Sequence, residues 1–426
     1  MSTNQQVSSS SLSKNDLSQT ITDRFDVLLS QSSIQQALSF IEADSENTLQ
    51  EQIAITAIPA PSFQEDERGR DYKRRLEELG LVDVTIDEEG NVFGRRPGVG
   101  DGPVLFVSSH LDTVFPAGTD TVARERDGRY YAPGISDNGR GLAGVLAILR
   151  ALNHAGIQTQ GDLIFGATVG EEGVGDLRGA KAFFRHHADI DGFISIEPGE
   201  PSRTTYLATG SRRYRVTYQG KGGHSYGDFG IPSAIHALGR AIAMIAEVKV
   251  PADPKTTFTV GEISGGTSVN TIAATATMLV DMRSSSQEEL ARLEEQVLQL
   301  IEQAAVLENE RWGARDIQVH VERIGDRPGG AQSADAPIVQ ASLAASLALG
   351  DDAILDDAAS TDSNVPISLR IPAVTLGGGG ISGGLHTLEE FFDPTDAHKG
   401  IQKIFLTVVG LVGVADVVDA ILPKRV

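Results

Sequence analysis

The feature that most constrains this chain is Val104–Ser108 (VLFVS), a near-continuous apolar run followed directly by Ser109-His110-Leu111-Asp112. A strand apolar on both faces is buried on both faces, which places it at the centre of a sheet covered by helices. Similar runs recur at Leu163–Thr168, Gly192–Ile196 and Ala373–Leu376, and apolar segments of helical spacing at Gly141–Asn153 and Gly175–His186 separate the first three. This alternation predicts an α/β fold with a mixed, largely parallel sheet sandwiched by helices. Helical spacing also covers Ser33–Ala57 and Glu65–Leu79, and Val82–Ile86 with Val92–Arg95 reads as a strand pair.

The pattern changes near Gly210. Arg213–Gln219 alternates like a strand with one exposed face, Ile231–Glu247 is helical, and Phe258–Ile263 and Thr271–Met282 read as strands. A long helix over Gln287–Leu307 and a strand over Ile317–Arg323 follow. The order strand, helix, strand, strand, helix, strand predicts an inserted ferredoxin-like α+β domain. A helix at Ala336–Leu347 and another at Pro394–Val414 then resume the first style. The expected division is a disordered tail over 1–32, a first domain in two parts at 33–209 and 326–426, and an inserted domain at 210–325.

Composition removes several function classes. The 58 acidic and 36 basic side chains among 426 residues give a formal charge of −22, unsuited to nucleic acid or anionic lipid. With no cysteine, the chain excludes disulfides, thiolate metal sites and a thiol nucleophile, so a transition metal here needs imidazoles and carboxylates. The first 20 residues lack the apolar core of an export signal, and Ile404–Leu422 is broken by Asp416 and Asp419. A cytoplasmic protein with no membrane association is expected.

In sheets of this kind, ligands bind beyond the carboxyl ends of the strands. Those ends carry the chemistry: His110 and Asp112 after VLFVS, Glu171 and Glu172 after LIFGAT, and Glu197 after FISI. Asp137 lies directly before a helix, and His386 ends the glycine loop after AVTL. A two-metal hydrolase needs such a set: a bridging carboxylate, terminal N and O ligands, and a further carboxylate as proton carrier. Each residue alone has a plainer reading. His110 fits a buried hydrogen-bonded histidine, Asp137 a helix N-cap, Glu171-Glu172 a solvated pair, Glu197 a strand end, and His386 a loop residue.

The motifs SSHLDTV, GISDNGRGLAG, GEEGVGDLRGA, GKGGHS and GGLHTLEEFF, in this order from about residue 33, resemble one family. It is the dinuclear zinc exopeptidases and deacylases, which include glutamate carboxypeptidase, peptidase T, aminoacylase, acetylornithine deacetylase and succinyl-diaminopimelate desuccinylase. The resemblance implies two divalent ions per chain, zinc with cobalt or manganese as alternatives. One would be held by His110, Asp137 and Glu197, the other by Asp137, Glu172 and His386, with Asp137 bridging. Asp112 would orient His110, Glu171 would be the general base, and His224 would stabilise the oxyanion. Asn270 and Arg283 would bind a substrate carboxylate, assisted by backbone N–H groups of the Gly377–Gly380 run, Gly379 and Gly380 in particular. The inserted domain would act as a lid and as the contact of a homodimer. The implied substrate is a small peptide or N-acyl amino acid. Glutamate at position 197 favours one with a free carboxylate, although SHLDTV and GGLHTLEE look equally peptidase-like.

Three rivals stand beside this reading. Gly380-Ile381-Ser382-Gly383-Gly384 fits the G-x-S-x-G pattern of a serine hydrolase. Gly173-Val174-Gly175 follows a strand, but the spacing to Gly179 is wrong for dinucleotide binding. A catalytically inactive family scaffold is the third.

Overall fold

In the computed structural model, residues 11–425 are described. The chain divides into two compact units, one comprising residues up to Leu207 together with Ala331 onward, the other Ala208–Gly330.

The first unit is built on an eight-stranded sheet. Its strands run, edge to edge, Val82–Ile86, Val92–Arg96, Asp162–Thr168, Val104–His110, Gly192–Glu197, Ala373–Gly377, Arg203–Thr205 and Ile354–Leu355. The four central strands, Asp162–Thr168 through Ala373–Gly377, are mutually parallel, and their neighbours on both sides pair antiparallel to them. The VLFVS strand lies inside this parallel set, buried along nearly its whole length. One face packs on the helices Gly139–His154 and His398–Val412 through Val107, Leu142, Ile194, Ile404 and Val408. The other is closed by aromatic rings, with Phe106 stacked on Phe183 of the helix Arg178–His186 at 4.2 Å between centroids. A smaller sheet orders Ile381–Gly383, Phe391–Asp393, Arg129–Tyr131 and Arg124–Arg126.

The second unit has a four-stranded antiparallel sheet in the order Thr256–Gly265, Thr275–Ser284, Gly210–Gln219, Gln318–Arg327. In chain order this is strand two, three, one, four, with helices Ala234–Ala246 and Gln287–Trp312 as the crossovers, which is ferredoxin-like. Alternating residues such as Val216, Tyr218, Met278 and Val280 meet Leu293, Val297 and Ile301 of the long helix in its core.

Several expectations are corrected. The part of the expected 1–32 tail within the described residues is ordered: Gln19–Leu29 is a helix whose Ile21, Phe25 and Leu28 are buried. Those three follow helical spacing, and the Phe25 ring packs against Gly410 so closely that a Cβ there would lie 2.9 Å from it. Residues 1–10 of that tail lie outside the described residues. The helix read as Ser33–Ala57 is two helices, Ser32–Ala43 and Ser45–Thr56, meeting at Asp44, whose carboxylate pairs with Arg150 at 2.8 Å. A boundary at 325 would cut the last strand of the second unit, which continues to Arg327 and is followed by paired bonds between Ala208 and Gly330. The strand read as Thr271–Met282 splits, with Thr271–Ile272 pairing Gly223–His224 apart from the main sheet. Among the described residues no helix is long and apolar enough to cross a membrane.

Lys403 lies fully buried in the helix His398–Val412. Its Nζ donates to the Arg203 carbonyl at 2.6 Å and to Thr204 Oγ1 at 3.1 Å. Burial pushes its pKa down from 10.5 to about 7. Between those values the unfolded chain holds the proton and the folded chain does not, so this residue makes stability rise with pH across that window. The slope is up to about 1.4 kcal/mol per pH unit. Lys403→Met is expected to remove that slope, read as the difference in urea midpoints between pH 7 and pH 9 for variant and parent; equal slopes would refute the assignment.

Candidate metal centre

The first unit gathers seven of the expected site residues at the carboxyl ends of its parallel strands. His110 and Glu197 are the last residues of two neighbouring strands, and Glu171-Glu172 follows the third. Asp137 sits two residues before the helix Gly139–His154, and His386 lies on the turn between Ile381–Gly383 and Phe391–Asp393. The side chains converge on Asp137. Its Oδ1 is 3.0 Å from His110 Nε2, and its Oδ2 is 3.1 Å from His386 Nε2. Glu197 Oε2 is 3.5 Å from His110 Nε2, and Glu172 Oε1 is 3.0 Å from His386 Nε2. Two trios result, His110–Asp137–Glu197 and Asp137–Glu172–His386, with Asp137 common to both; a third grouping joins His110, Glu171 and Glu172.

The donor chemistry fits cations. His110 Nδ1 is 2.9 Å from the Asp112 carbonyl, which only accepts, so Nδ1 carries a proton. His110 Nε2 therefore meets two carboxylates either with a second proton or with a cation between them. Burial disfavours the charged imidazole, yet Glu197, Asp112 and Asp137 together hold the His110 pKa well above its ordinary value. The hydrogen bond that His386 donates to Asp137, helped by Glu172, raises its pKa to about 9. Burial works against the charged form of Asp137 too, but the two histidines pull its carboxyl far below the usual range. Glu172 and Glu197 are raised, chiefly by burial. Protons thus stand where divalent ions would neutralise the same carboxylates.

The surroundings fix the donors. Asp112 accepts the Glu171 N–H at Oδ1 (2.9 Å) and the Glu172 N–H at Oδ2 (3.0 Å), and Ser62 Oγ also donates to Oδ2 at 2.8 Å. Its carboxylate lies 3.6 Å from His110 Nδ1, beyond the backbone carbonyl that takes this contact. The sequence pointed to Asp112 as a partner of His110; the structure adds that it holds the Glu171-Glu172 backbone. Arg68, also buried, donates to the Leu111 carbonyl at 2.7 Å and braces the same loop. Asn138 caps the helix, accepting the Gly141 N–H at 3.0 Å while donating to Glu197 Oε2 at 2.7 Å. Glu390, buried and raised to about 7 by burial, accepts N–H groups from Gly134, Ser136 and Asp137. Asp362, likewise raised to about 7 by burial, accepts a hydrogen bond from Thr168. The residue reading missed Asn138, Asp362 and Glu390. Asn138 and Glu390 had a signal: Asn138 follows Asp137 inside GISDNGRGLAG, and Glu390 stands four residues after His386 inside GGLHTLEEFF.

The other expected residues fall elsewhere. His224 and Asn270 are exposed in the second unit and line one cavity of about 550 Å³ with Lys221 and Thr271. The Tyr226 and Gly227 N–H groups donate to His224 Nδ1 at 3.2 Å, which leaves its Nε2 as the donor. Arg283 does not line that cavity; it donates to Asp281 at 2.8 Å. The expectation for Gly379 is corrected, because its N–H is engaged by the Gly199 carbonyl at 3.1 Å. Close packing accounts for both glycines, whose φ angles are 76° and 81°. A Cβ would lie 2.5 Å from the Ala397 carbonyl at Gly379 and 2.5 Å from the Phe392 ring at Gly380. Ser382 lies on a short strand paired with Phe392, not on the strand-to-helix turn of a nucleophile elbow.

Residues 106–409 match the profile of peptidase family M20/M25/M40, and the chain belongs to this family. The uncharacterized protein YqjE of Bacillus subtilis is 25% identical over 342 residues, 77% of this chain and 89% of its own. The cysteinylglycine-S-conjugate dipeptidase of Corynebacterium striatum is 32% identical over 210 residues, 44% of this chain and 45% of that protein. A solved tripeptidase of Staphylococcus aureus has a TM-score of 0.73 at 23% identity, covering 85% of this chain and 97% of that one. The Bacillus subtilis YXEP protein, described as a dinuclear metal binding peptidase, has a TM-score of 0.66 at 18% identity, covering 87% and 99%. These likenesses place the fold among the M20 peptidases, and the family makes the chain a hydrolase.

Asp112→Asn turns one acceptor into a donor facing an N–H of Glu171 or Glu172. It should cost about 1–3 kcal/mol in urea unfolding, the usual price of an unmet buried polar group. An unchanged midpoint would count against the clamp.

Proposed function

We propose that the protein is a two-metal hydrolase that cleaves a peptide or N-acyl amide bond in a small substrate with a free carboxylate. The observation that carries this reading is Asp137, whose two oxygens face two different imidazoles at 3.0 and 3.1 Å. One carboxylate is thus shared by two ligand trios. His110, Asp137 and Glu197 would hold one ion, and Asp137, Glu172 and His386 the other. Imidazole and carboxylate donors without thiolate suit zinc, and also cobalt or manganese. A pair of such ions, when bound, polarises the scissile carbonyl and acidifies water.

The chain's own residues complete the chemistry. Glu171 takes the proton of the attacking water and returns it to the leaving nitrogen. Its backbone, fixed by Asp112, and its place beside His110 and Glu172 support this role. Asp112 holds the imidazole and the glutamate pair together. For His224, to which the resemblance gives the oxyanion, Nε2 is the available donor, since its Nδ1 is already an acceptor. Asn270, on the same cavity as His224, takes the substrate carboxylate, and the ion pair of Arg283 with Asp281 makes Arg283 the weaker candidate for that task. Named peptidases and desuccinylases among the relatives support a small peptide or acyl amide as substrate. The exposed strand Thr256–Gly265, at the edge of its sheet, supports a homodimer formed through the second unit. Analytical ultracentrifugation reporting only a 45.2 kDa species at micromolar concentration would remove the dimer.

Elemental analysis of the purified protein should find about two divalent ions per chain, and chelation should abolish hydrolysis of dipeptides and N-acyl amino acids. Activity that persists in metal-stripped protein would overturn the reading. Glu171→Gln should keep both ions and lose ~10²–10⁴-fold in kcat, as removal of a general base does. Near-normal turnover would take the role from Glu171.

A further inference from the structure

The chain segment that presents Asp137 is held by a carboxylate outside both trios. Glu390 is fully buried. Its Oε1 accepts the N–H groups of Ser136 and Asp137, both at 2.9 Å, and its Oε2 accepts that of Gly134, also at 2.9 Å. The contact continues along the backbone: Ala132 N–H donates to the Glu390 carbonyl at 3.1 Å, and Ser136 Oγ donates to the Phe391 carbonyl at 3.0 Å. On its other side Glu390 closes the turn that carries His386. The Glu390 N–H donates to the Thr387 carbonyl at 3.2 Å, and the Thr387 N–H to that of Gly384 at 3.0 Å. His386 itself has a φ of 62°, a left-handed conformation that a histidine keeps only when its neighbours fix it.

One side chain therefore ties together two loops, and the residues those loops present, Asp137 and His386, face each other at 3.1 Å. A buried carboxylate is costly, but without it the N–H groups of Gly134, Ser136 and Asp137 would lose their acceptor. What the carboxylate adds is direction, since three N–H groups aimed at two oxygens fix the orientation of the turn as well as its place.

We infer that Glu390 is a positioning residue for the Asp137–Glu172–His386 trio, acting through the two loops and not by touching ion or substrate. The inference rests on the proposed two-metal reading. Glu390→Gln keeps the shape but turns an NH₂ toward at least one of the three N–H donors, so the clamp loses a bond and the two ligands drift apart.

The test is a titration of metal-stripped protein with Co²⁺, followed by calorimetry and by the visible absorption of the bound ion. The parent should take up two ions. Glu390→Gln should bind one of them 10–100-fold more weakly, the usual cost of losing a group that orients ligands. Its urea midpoint should fall with the lost bond, as for Asp112→Asn, and excess metal should restore kcat. Glu390→Asp, which keeps the charge but withdraws it by one methylene, should show the same weakening and stands in if the first variant does not fold. Parent-like affinity for both ions in a folded variant overturns the inference. Unfolding of both variants also overturns it, by assigning Glu390 to stability alone. A parent that binds no ion would instead sink the two-metal reading, so the two failures are distinguishable.

Discussion

The site is organised by a single carboxylate caught between two imidazoles. Asp137 is almost fully buried, and His110 and His386 approach it from opposite oxygens. Two further carboxylates, the buried Glu172 and the half-buried Glu197, crowd the same histidines. Mutual repulsion among these acids would open the cluster if nothing positive stood between them. The raised histidine pKa values and the depressed one of Asp137 express that demand for positive charge. A pair of divalent ions answers it more fully than two protons, because each carries twice the charge to several oxygens at once.

The fold serves this demand by bringing donors from distant parts of the chain to one rim. Parallel strands end on the same side of a sheet, so residues that follow them meet without long loops. His110, Glu197 and the Glu171-Glu172 pair arrive in this way. Asp137 and His386 come on loops, and loops need anchors. Asn138 anchors one by capping a helix and holding Glu197 together, and Glu390 ties the Asp137 loop to that of His386. The buried polar groups around the donors are thus the price of rigidity at a place where backbone is irregular.

Much of this was legible in the order of residues. The parallel sheet followed from apolar runs such as Val104–Ser108, because a strand covered on both faces has no room for alternation. The ferredoxin-like unit followed from its sequence of elements. The metal-ligand candidates were visible because His and carboxylates cluster at strand ends, and the ordered motifs then singled them out. The helix Gln19–Leu29 was hidden by its polar surroundings, although Ile21, Phe25 and Leu28 keep helical spacing. Gly379 looked like a backbone donor for substrate, but its N–H already meets Gly199, a partner 180 residues away in sequence.

The sequence by itself determined the class of fold, the absence of thiol chemistry and the set of side chains able to bind a cation, since burial pattern and residue type are local properties. Tertiary structure alone decided that Asp137 turns one oxygen to each histidine, and that Asp112 grips the Glu171-Glu172 backbone. It also decided that Glu390, Asn138 and Asp362 stand around the centre. These depend on hydrogen-bond directions between segments far apart in the chain, such as 134–137 against 390, and no spacing along a single segment records them.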